Sequence, residues 1–522
     1  MTPNVLMVFP RFNPNSFWSL QATCDFYGAR CLAPPLGLIT VAALLPAEWN
    51  IRLVDQNAEE LTITDLDWAD FVMTGGMLPQ QRDTLSLIDL CHDRDKPVVV
   101  GGPDATSSPD IYCRADFLVL GEAEGVIDRF VEAWSTGVRK GIFQGPKFQV
   151  DVTKSPVPRF DLLKIKHYAH IGIQFSRGCP FNCEFCDIIE LFGRVPRTKS
   201  IEQILLELDA LYQIGYRGHL DFVDDNFIGN KKALKRLLPA LRDWQKERRY
   251  PFEFSTEASI NIADDPQLLE MMSETNFFAV FVGIESPDTE TLISAQKKQN
   301  TRRNIADSVH KIYDAGMLVL AGFIVGFDTE GASVAGAMVE CIEATSIPVC
   351  MVGLLTALPN TQLTRRLERE GRLLPVDTKK GDQCTGGLNF VTLRPRRSVL
   401  ADFKSILEVI YQPAAYFGRV RVVGRALNRR NHSTKPSLMA MLRDTRMVVR
   451  LMWCMTFQRR DLRRHFWGTF IDCARNNPGG LKYVGMLLIF YLHLGSFASF
   501  LIEQLDQEIE MMDSPRRAAG LR

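Results

Sequence analysis

The chain has no excess charge of either sign: 61 Lys and Arg stand against 61 Asp and Glu, so the formal net charge is zero. Proteins that bind polyanions carry a basic surplus, and no nucleic-acid partner is expected here. The start, Met-Thr-Pro-Asn, has neither a basic region leading into an apolar run nor a small-residue cleavage site, which argues against export. A disulfide scaffold is missing too. Twelve cysteines in 522 residues are too few for one, and three of them cluster, so the expected setting is reducing and cytoplasmic. Long uncharged runs are scarce, and the notable one is Tyr483 to Ile502, twenty residues between Lys482 and Glu503.

At 522 residues, 46% of them apolar and 23% charged, the chain calls for two or three ordinary globular domains. The neutral total hides an asymmetry. Residues 401 to 522 hold 19 Lys and Arg against 10 Asp and Glu, which leaves the first 400 residues acidic.

The cysteine cluster is Cys179-Pro-Phe-Asn-Cys183-Glu-Phe-Cys186, placed after a strand-like run, Ile171 to Phe175, and a Ser-Arg-Gly turn. Thiolates are soft metal ligands, and this spacing wraps a short loop so that three sulfurs converge on one cluster face. No fourth cysteine is near, since the next is Cys341, so one coordination position stays open. A zinc loop or three buried thiols is the competing reading, and the flanking chain speaks against it. The motif, including Phe185 before the last cysteine, resembles that of the radical S-adenosylmethionine (SAM) enzymes. The resemblance implies a [4Fe-4S] cluster on Cys179, Cys183 and Cys186, with the amino and carboxylate groups of SAM at the open iron.

Before the motif, short apolar runs alternate with helical stretches. Val5 to Phe9 is followed by Pro34-Pro35-Leu36-Gly37 opening a helix. Ile51 to Val54 ends at Asp55, Phe71 to Met73 at Thr74-Gly75-Gly76, Pro97 to Val100 at Gly101-Gly102, and Phe117 to Leu120 at Gly121-Glu122. These read as an α/β, doubly wound (Rossmann-like) parallel sheet over residues 1–150, whose strand ends form a ligand crevice. The stretch resembles the cobalamin-binding domain that precedes many radical SAM modules. Asp55, Gly75, Gly76, Gly101, Gly102, Gly121 and Glu122 are then its candidate contacts. The D-x-H-x-x-G motif that supplies a lower axial histidine is absent, the corresponding stretch reading Asp55-Gln56-Asn57-Ala58-Glu59-Glu60, so no histidine ligand is expected.

Ser155-Pro156-Val157-Pro158 reads as a stiff linker within 151–164. Residues 165–380 carry a further βα rhythm, with strands expected at 171–175, 218–223, 252–256, 278–284, 318–325 and 349–355. This resembles the partial (βα)6 barrel of radical SAM enzymes, whose sites sit at the strands' carboxyl ends. By that resemblance Asp224 and Asp225 face the SAM amine, Glu257 and Glu285 hold amine or ribose hydroxyls, and Gly322 and Gly326 make room for adenine. Each carboxylate alone is equally well read as a helix cap or surface ion, Asp225 or Asn226 for instance capping the helix near Asn230.

Residues 381–522 read as a mostly helical extension. Gly381 to Gly387 is expected to be a lid over the barrel mouth, with Cys384 the one isolated cysteine to test for catalysis. Arg459, Arg460, Arg463 and Arg464 alternate with Trp453, Phe457, Phe466 and Trp467, a pattern suited to an anionic membrane surface. Tyr483 to Ile502 stays open between an interfacial or substrate-facing helix, a buried structural helix and a true span. The tail after Asp513 is expected to be disordered.

The resemblance covers residues 1 to about 375 and implies a radical SAM methyltransferase. SAM cleavage yields a deoxyadenosyl radical that takes a hydrogen from an unactivated carbon, and methylcobalamin supplies the methyl group. The stretches APPLGLITVAALLP, TGGMLPQQ, FSRGCPFNCEFCDIIELFGRVPRTK and GDQCTGGLNF resemble the hopanoid C-2 methylase branch. That implies an apolar lipid substrate, an external electron donor such as flavodoxin or ferredoxin, and a peripheral contact with the inner face of the membrane. The alternative is a cobalamin-dependent radical SAM enzyme acting in tetrapyrrole cyclisation or methylation.

Overall fold

In the first strand, β1 (Asn4–Phe9), alternate residues are buried on opposite sides. Val5 and Met7 enter one apolar cluster, Leu6 and Val8 another. A strand buried on both faces belongs inside a parallel sheet with helices on each side. The computed structural model shows that sheet and describes residues 2–375, 383–428 and 438–513, with the side chains of Gln383 and residues 438–444 excepted. It contains β1, β2 (Asn50–Asp55), β3 (Phe71–Gly75), β4 (Val98–Gly101), β5 (Phe117–Leu120) and β6 (Gly141–Gln144) in the order β2-β1-β3-β4-β5-β6. Every pairing is parallel. The order reverses between β1 and β3, where ligands bind in such sheets.

The second sheet starts with β7 (Ile171–Ile173). A two-stranded ribbon, β8 (Ser176–Arg177) with β9 (Arg197–Thr198), then brackets the cysteine loop. Next come β10 (Gly218–Phe222), β11 (Phe252–Glu257), β12 (Phe277–Glu285), β13 (Leu318–Val325) and β14 (Val349–Leu354). Their parallel order, β14-β13-β12-β11-β10-β7, is an incomplete barrel with β7 and β14 as unjoined edges.

The C-terminal extension is built onto this barrel, and one apolar core runs through both. Buried Arg419 donates to the carbonyls of Ile347 and Ile410, and Tyr411 donates to the Cys350 carbonyl at 2.6 Å. The closing helix, Leu481–Asp513, is long and apolar enough to cross a bilayer. In the fold its apolar face, with Leu487, Leu488, Tyr491, Leu494 and Leu501, is buried against protein. Its charged ends are tied down as well: Lys482 pairs with Glu253, Asp506 with Lys404 and Glu508 with Arg396. Of the three readings left open, the packed structural helix is the one this arrangement shows. The tail expected to be disordered, and Gly381 and Asp382 of the expected lid, lie outside the described residues.

Candidate functional site

The cysteine loop is pinned by the strand beside it. Asp224, just after β10, accepts from Phe175 N at 2.8 Å, Ser176 N at 2.7 Å and Ser176 Oγ at 2.5 Å. Asp225 accepts from Gly178 N at 2.8 Å. Burial pushes both carboxyls up, Asp224 to about 7 and Asp225 to about 6, and the hydrogen bonds from the loop pull the other way. These two residues are therefore committed to the chain that leads into Cys179, in place of the free carboxylates facing a ligand amine that the sequence suggests. Asn226 directs its amide at Cys179 Sγ, 3.8 Å away, and Gln299 directs its own at Cys183 Sγ, 3.7 Å away. Hydrogen bonds to sulfur tune iron-sulfur centres. The helix cap expected of Asp225 or Asn226 is supplied by Asn230, which accepts from Ala233 N.

No three ligating side chains among the described residues surround a single ion. A cubane cluster takes its thiolates from three separate corners, so its sulfurs need not crowd one point.

Glu285 ends β12 in a left-handed conformation, φ 68°, and Lys297 donates to its Oε1 at 2.7 Å. Gly283 makes room for this pair, since a Cβ there would lie 2.2 Å from Glu285 Oε1. Burial alone would lower the Lys297 pKa, and the charge and hydrogen bond of Glu285 together with the nearby Cys183 and Cys186 thiols outweigh it and raise it. Its ammonium also faces the Phe185 ring of the cysteine loop, 5.9 Å from the centroid. A Cβ on Gly322 would meet the Phe281 ring at 3.3 Å and lie 3.9 Å from Glu285 Oε2. Gly326 does not open onto an adenine-sized space: Leu388 Cδ2 sits 2.6 Å from where its Cβ would be. Glu257 Oε2 is buried without a protein partner, and burial followed by the charge of Asp221 pushes this carboxyl well up. An orphaned buried oxygen beside the cysteine loop suits a ligand that donates hydrogen bonds.

Below this rim the barrel interior is two-sided. Pairing places Gly172, Asp221, Ser255 and Ala279 on one level and Glu257 beside Phe281 on the next. On the β10–β11 wall His219 Nε2 meets Ser255 Oγ at 2.6 Å, Ser255 donates to Asp221, and the His170 ring lies 4.8 Å from that of His219. The β12–β14 wall carries Phe281, Leu320 and Met351, and Trp18 from the first domain reaches Phe281 at 5.6 Å. Tyr483 closes the floor, donating to Glu253 at 2.7 Å. Cys384 stands apart. Its buried thiol donates to Val352 O at 3.5 Å on the edge strand β14, and Gly387 packs on Leu354. The described part of the expected lid thus covers a sheet edge, which unpaired strands require.

The carboxyl edge of the first sheet faces this rim. Arg177, two residues before Cys179, donates to Glu122 at 3.0 Å and to Glu124 at 2.7 Å, and Arg197 donates to Glu122 at 2.7 Å. Burial would raise the Glu124 carboxyl, but the Arg177 hydrogen bonds and charge hold it at about 2. Glu122 is thereby engaged by two arginines. Asp55 is engaged by Asn57 and Tyr168 across the domain boundary. The glycines line the crevice with bare backbone: a Cβ on Gly75 would lie 2.8 Å from Gly101 O, one on Gly101 would lie 2.9 Å from Val119 O, and Gly102 and Gly121 have φ near 89° and 88°. Gly76 gives way to Gln80 in the same manner, at 2.9 Å. At the same edge the buried atoms Thr74 Oγ1 and Gln56 Oε1 have no protein partner. Such an edge, with bare backbone and orphaned polar atoms, fits a broad cofactor rich in amides.

Residues 173–340 match the Radical SAM superfamily model, and residues 361–507 match a domain of unknown function, DUF4070. An uncharacterized methyltransferase of Synechocystis sp. is 41% identical over 97% of this chain and 94% of its own. The hopanoid C-2 methylase of Rhodopseudomonas palustris is 37% identical over 89% of this chain and 88% of its own. The chain belongs to the cobalamin-binding radical SAM methyltransferases. Its fold agrees: the cobalamin-dependent SAM radical enzyme OxsB, solved with aqua-cobalamin and SAM, superposes with TM-score 0.61 at 16% identity, covering 98% of this chain and 80% of that one. As a radical SAM C-methyltransferase the chain uses SAM, a [4Fe-4S] cluster and cobalamin.

The arginine clamp, Lys297 and the sulfur-directed amides are what the sequence reading missed. Arg177 lies inside the quoted motif without a role attached to it. Lys297 follows Glu285 by twelve residues with nothing in the intervening chain to mark it.

Proposed function

We propose that the chain methylates an unactivated carbon of a pentacyclic triterpenoid, C-2 of a hopanoid. The observation that carries this reading is the meeting of two carboxyl edges. The loop of Cys179, Cys183 and Cys186 and the glycine-lined edge of the first sheet are clamped face to face by Arg177, above the inward-facing residues of the barrel strands. Bound there, the reduced cluster supplies the electron that cleaves SAM, and cobalamin supplies the methyl group.

The residues then divide the work. Cys179, Cys183 and Cys186 ligate the cluster, and Asp224 and Asp225 fix the loop that presents them. Glu257 and the Glu285–Lys297 pair bind the polar groups of SAM. Thr74, Gln56 and the backbone of Gly75, Gly76, Gly101, Gly102 and Gly121 bind cobalamin. Phe281, Leu320, Met351 and Trp18 take the apolar substrate and exclude water from the reacting carbon. Among known proteins the hopanoid C-2 methylase supports this substrate class.

The finer partner readings rest on the surface. Trp453 is 58% and Phe457 54% exposed, their centroids 4.5 Å apart, with exposed Arg450, Arg460, Arg463 and Arg464 in the same stretch. Together they support a peripheral contact with anionic lipid on the cytoplasmic side.

The test is anaerobic reconstitution with iron, sulfide and cobalamin, followed by a reductant, methyl-labelled SAM and hopanoid. A labelled methylhopanoid by mass spectrometry is expected. SAM cleavage without any methylated lipid would overturn the substrate assignment.

A further inference from the structure

Beside the cysteine loop lies a depression of about 300 Å³ lined by Pro180, Phe181, Asn182, Arg194, Gln296 and Lys298. Pro180, Phe181 and Asn182 of that lining are the residues that join Cys179 to Cys183, so the depression borders the loop that carries those sulfurs. Beside it Val195 is 75% exposed, an apolar side chain in open solvent next to the loop. The charged residues that line it, Arg194 and Lys298, are both basic. Of the acids of the cysteine segment, Glu184 and Glu190 are paired with Arg366 and Arg365, and Asp187 is half-buried. On the facing segment Lys297 is turned inward to Glu285, and Arg303 is paired with Asp264. Arg194, which donates to Pro180 O at 3.3 Å, and Lys298 are exposed and have no acidic partner among the described residues, and Arg302 is exposed nearby in the chain. Asn182 is tied to Gln296 at 2.7 Å and to Gln362, which keeps the floor fixed while its rim stays open.

We propose that this depression is the docking surface for a small acidic one-electron carrier protein of the flavodoxin or ferredoxin class. The inference rests on the radical SAM reading and adds the place and the recognition chemistry. An acidic rim on the carrier meets Arg194 and Lys298, and apolar contact forms at Phe181 and Val195. Complementary charge steers such encounters and fixes their orientation, with little demand on total affinity. The step itself makes and breaks no bond. The reduced carrier loses one electron, and the oxidised cluster behind the loop gains it.

The probe is a purified bacterial flavodoxin, with binding measured by isothermal titration at low ionic strength alongside 5′-deoxyadenosine formation. In Arg194→Glu/Lys298→Glu the Kd is expected to rise about tenfold or more, and the wild-type affinity to fall with added salt. Flavodoxin-driven deoxyadenosine formation should drop in step, while the dithionite-driven rate is retained, since a small reductant needs no docking surface. Val195→Asp, which leaves both cations in place, should weaken binding by the same route. Unchanged Kd and unchanged flavodoxin-driven rate in both variants would overturn the proposal. If the wild type cleaved no SAM with dithionite, the enzymatic reading would fall, and the binding data would still judge the docking surface.

Discussion

Lys297 donates to Glu285 at 2.7 Å in a position where both side chains are nearly enclosed and the Phe185 ring of the cysteine loop forms one wall. A buried pair of this kind is costly to break singly, because the partner is left charged without compensation. Lys297→Met should lower the unfolding free energy by about 3 kcal/mol, whereas the matched Lys297→Met/Glu285→Gln variant should regain most of it. Thermal unfolding of the three metal-free proteins measures this. Equal losses in the single and double variants would show the pair to be uncoupled.

Much of the architecture was legible in the chain because parallel strands are short apolar runs that stop at Gly or Asp. All six barrel strands were placed to within about two residues. β6 (Gly141–Gln144) was missed because it is an exposed edge, Ile142 being 67% accessible, and so lacks the continuous apolar signal. The cysteine loop was legible for its spacing. The roles of Asp224 and Asp225 were not, because their partners at Ser176 and Gly178 lie 48 and 47 residues away and only the β7–β10 pairing brings them together. Gly326 misled for a related reason. A positive φ is required there, but the space it leaves is taken by Leu388, which arrives from beyond the barrel.

Asp224 accepts three donors on its two oxygens and an asparagine offers only one acceptor oxygen, so Asp224→Asn should loosen the start of the cysteine loop by about 1–3 kcal/mol. The expected outcome is reduced iron and sulfide content after reconstitution, with far-UV circular dichroism unchanged. Full cluster loading in the variant would contradict the positioning role.

The Arg177 clamp predicts an acid-sensitive contact. The Glu124 carboxyl is depressed to about 2, so its stabilising share is present above its ordinary pKa and is lost as pH falls toward 2. Arg177→Leu leaves buried Glu124 without a cation, while Glu122 keeps Arg197, and should cost about 3–5 kcal/mol at neutral pH. Urea unfolding from about pH 2.5 to 4.5, below the range in which Glu330 titrates, should show stability rising with pH in the wild type and a flatter profile in the variant.

Glu330 has the opposite sign. Burial pushes its carboxyl to about 7, Gly326 N donates to it at 2.8 Å, and Arg394 lies 4.0 Å away, engaged with Asp402. A raised folded pKa means that its contribution is complete below about 4.5 and is lost as pH climbs through 7. Wild-type stability should therefore decline between about pH 4.5 and 7 by up to about 1.4 kcal/mol per pH unit from this group, and level off above that range. Glu330→Gln should remove that slope, and an unaltered slope would mean that Glu330 is ionised throughout.

The central claim is that one site cleaves SAM and a neighbouring one delivers methyl to a carbon between them. The most direct measurement uses a hopanoid deuterated at C-2, with both products quantified after anaerobic turnover. The account predicts deuterium in 5′-deoxyadenosine, one S-adenosylhomocysteine for each methylhopanoid, and loss of both in Cys179→Ala. Methylhopanoid formed with no deuterium in deoxyadenosine, or formed undiminished by Cys179→Ala, would contradict it.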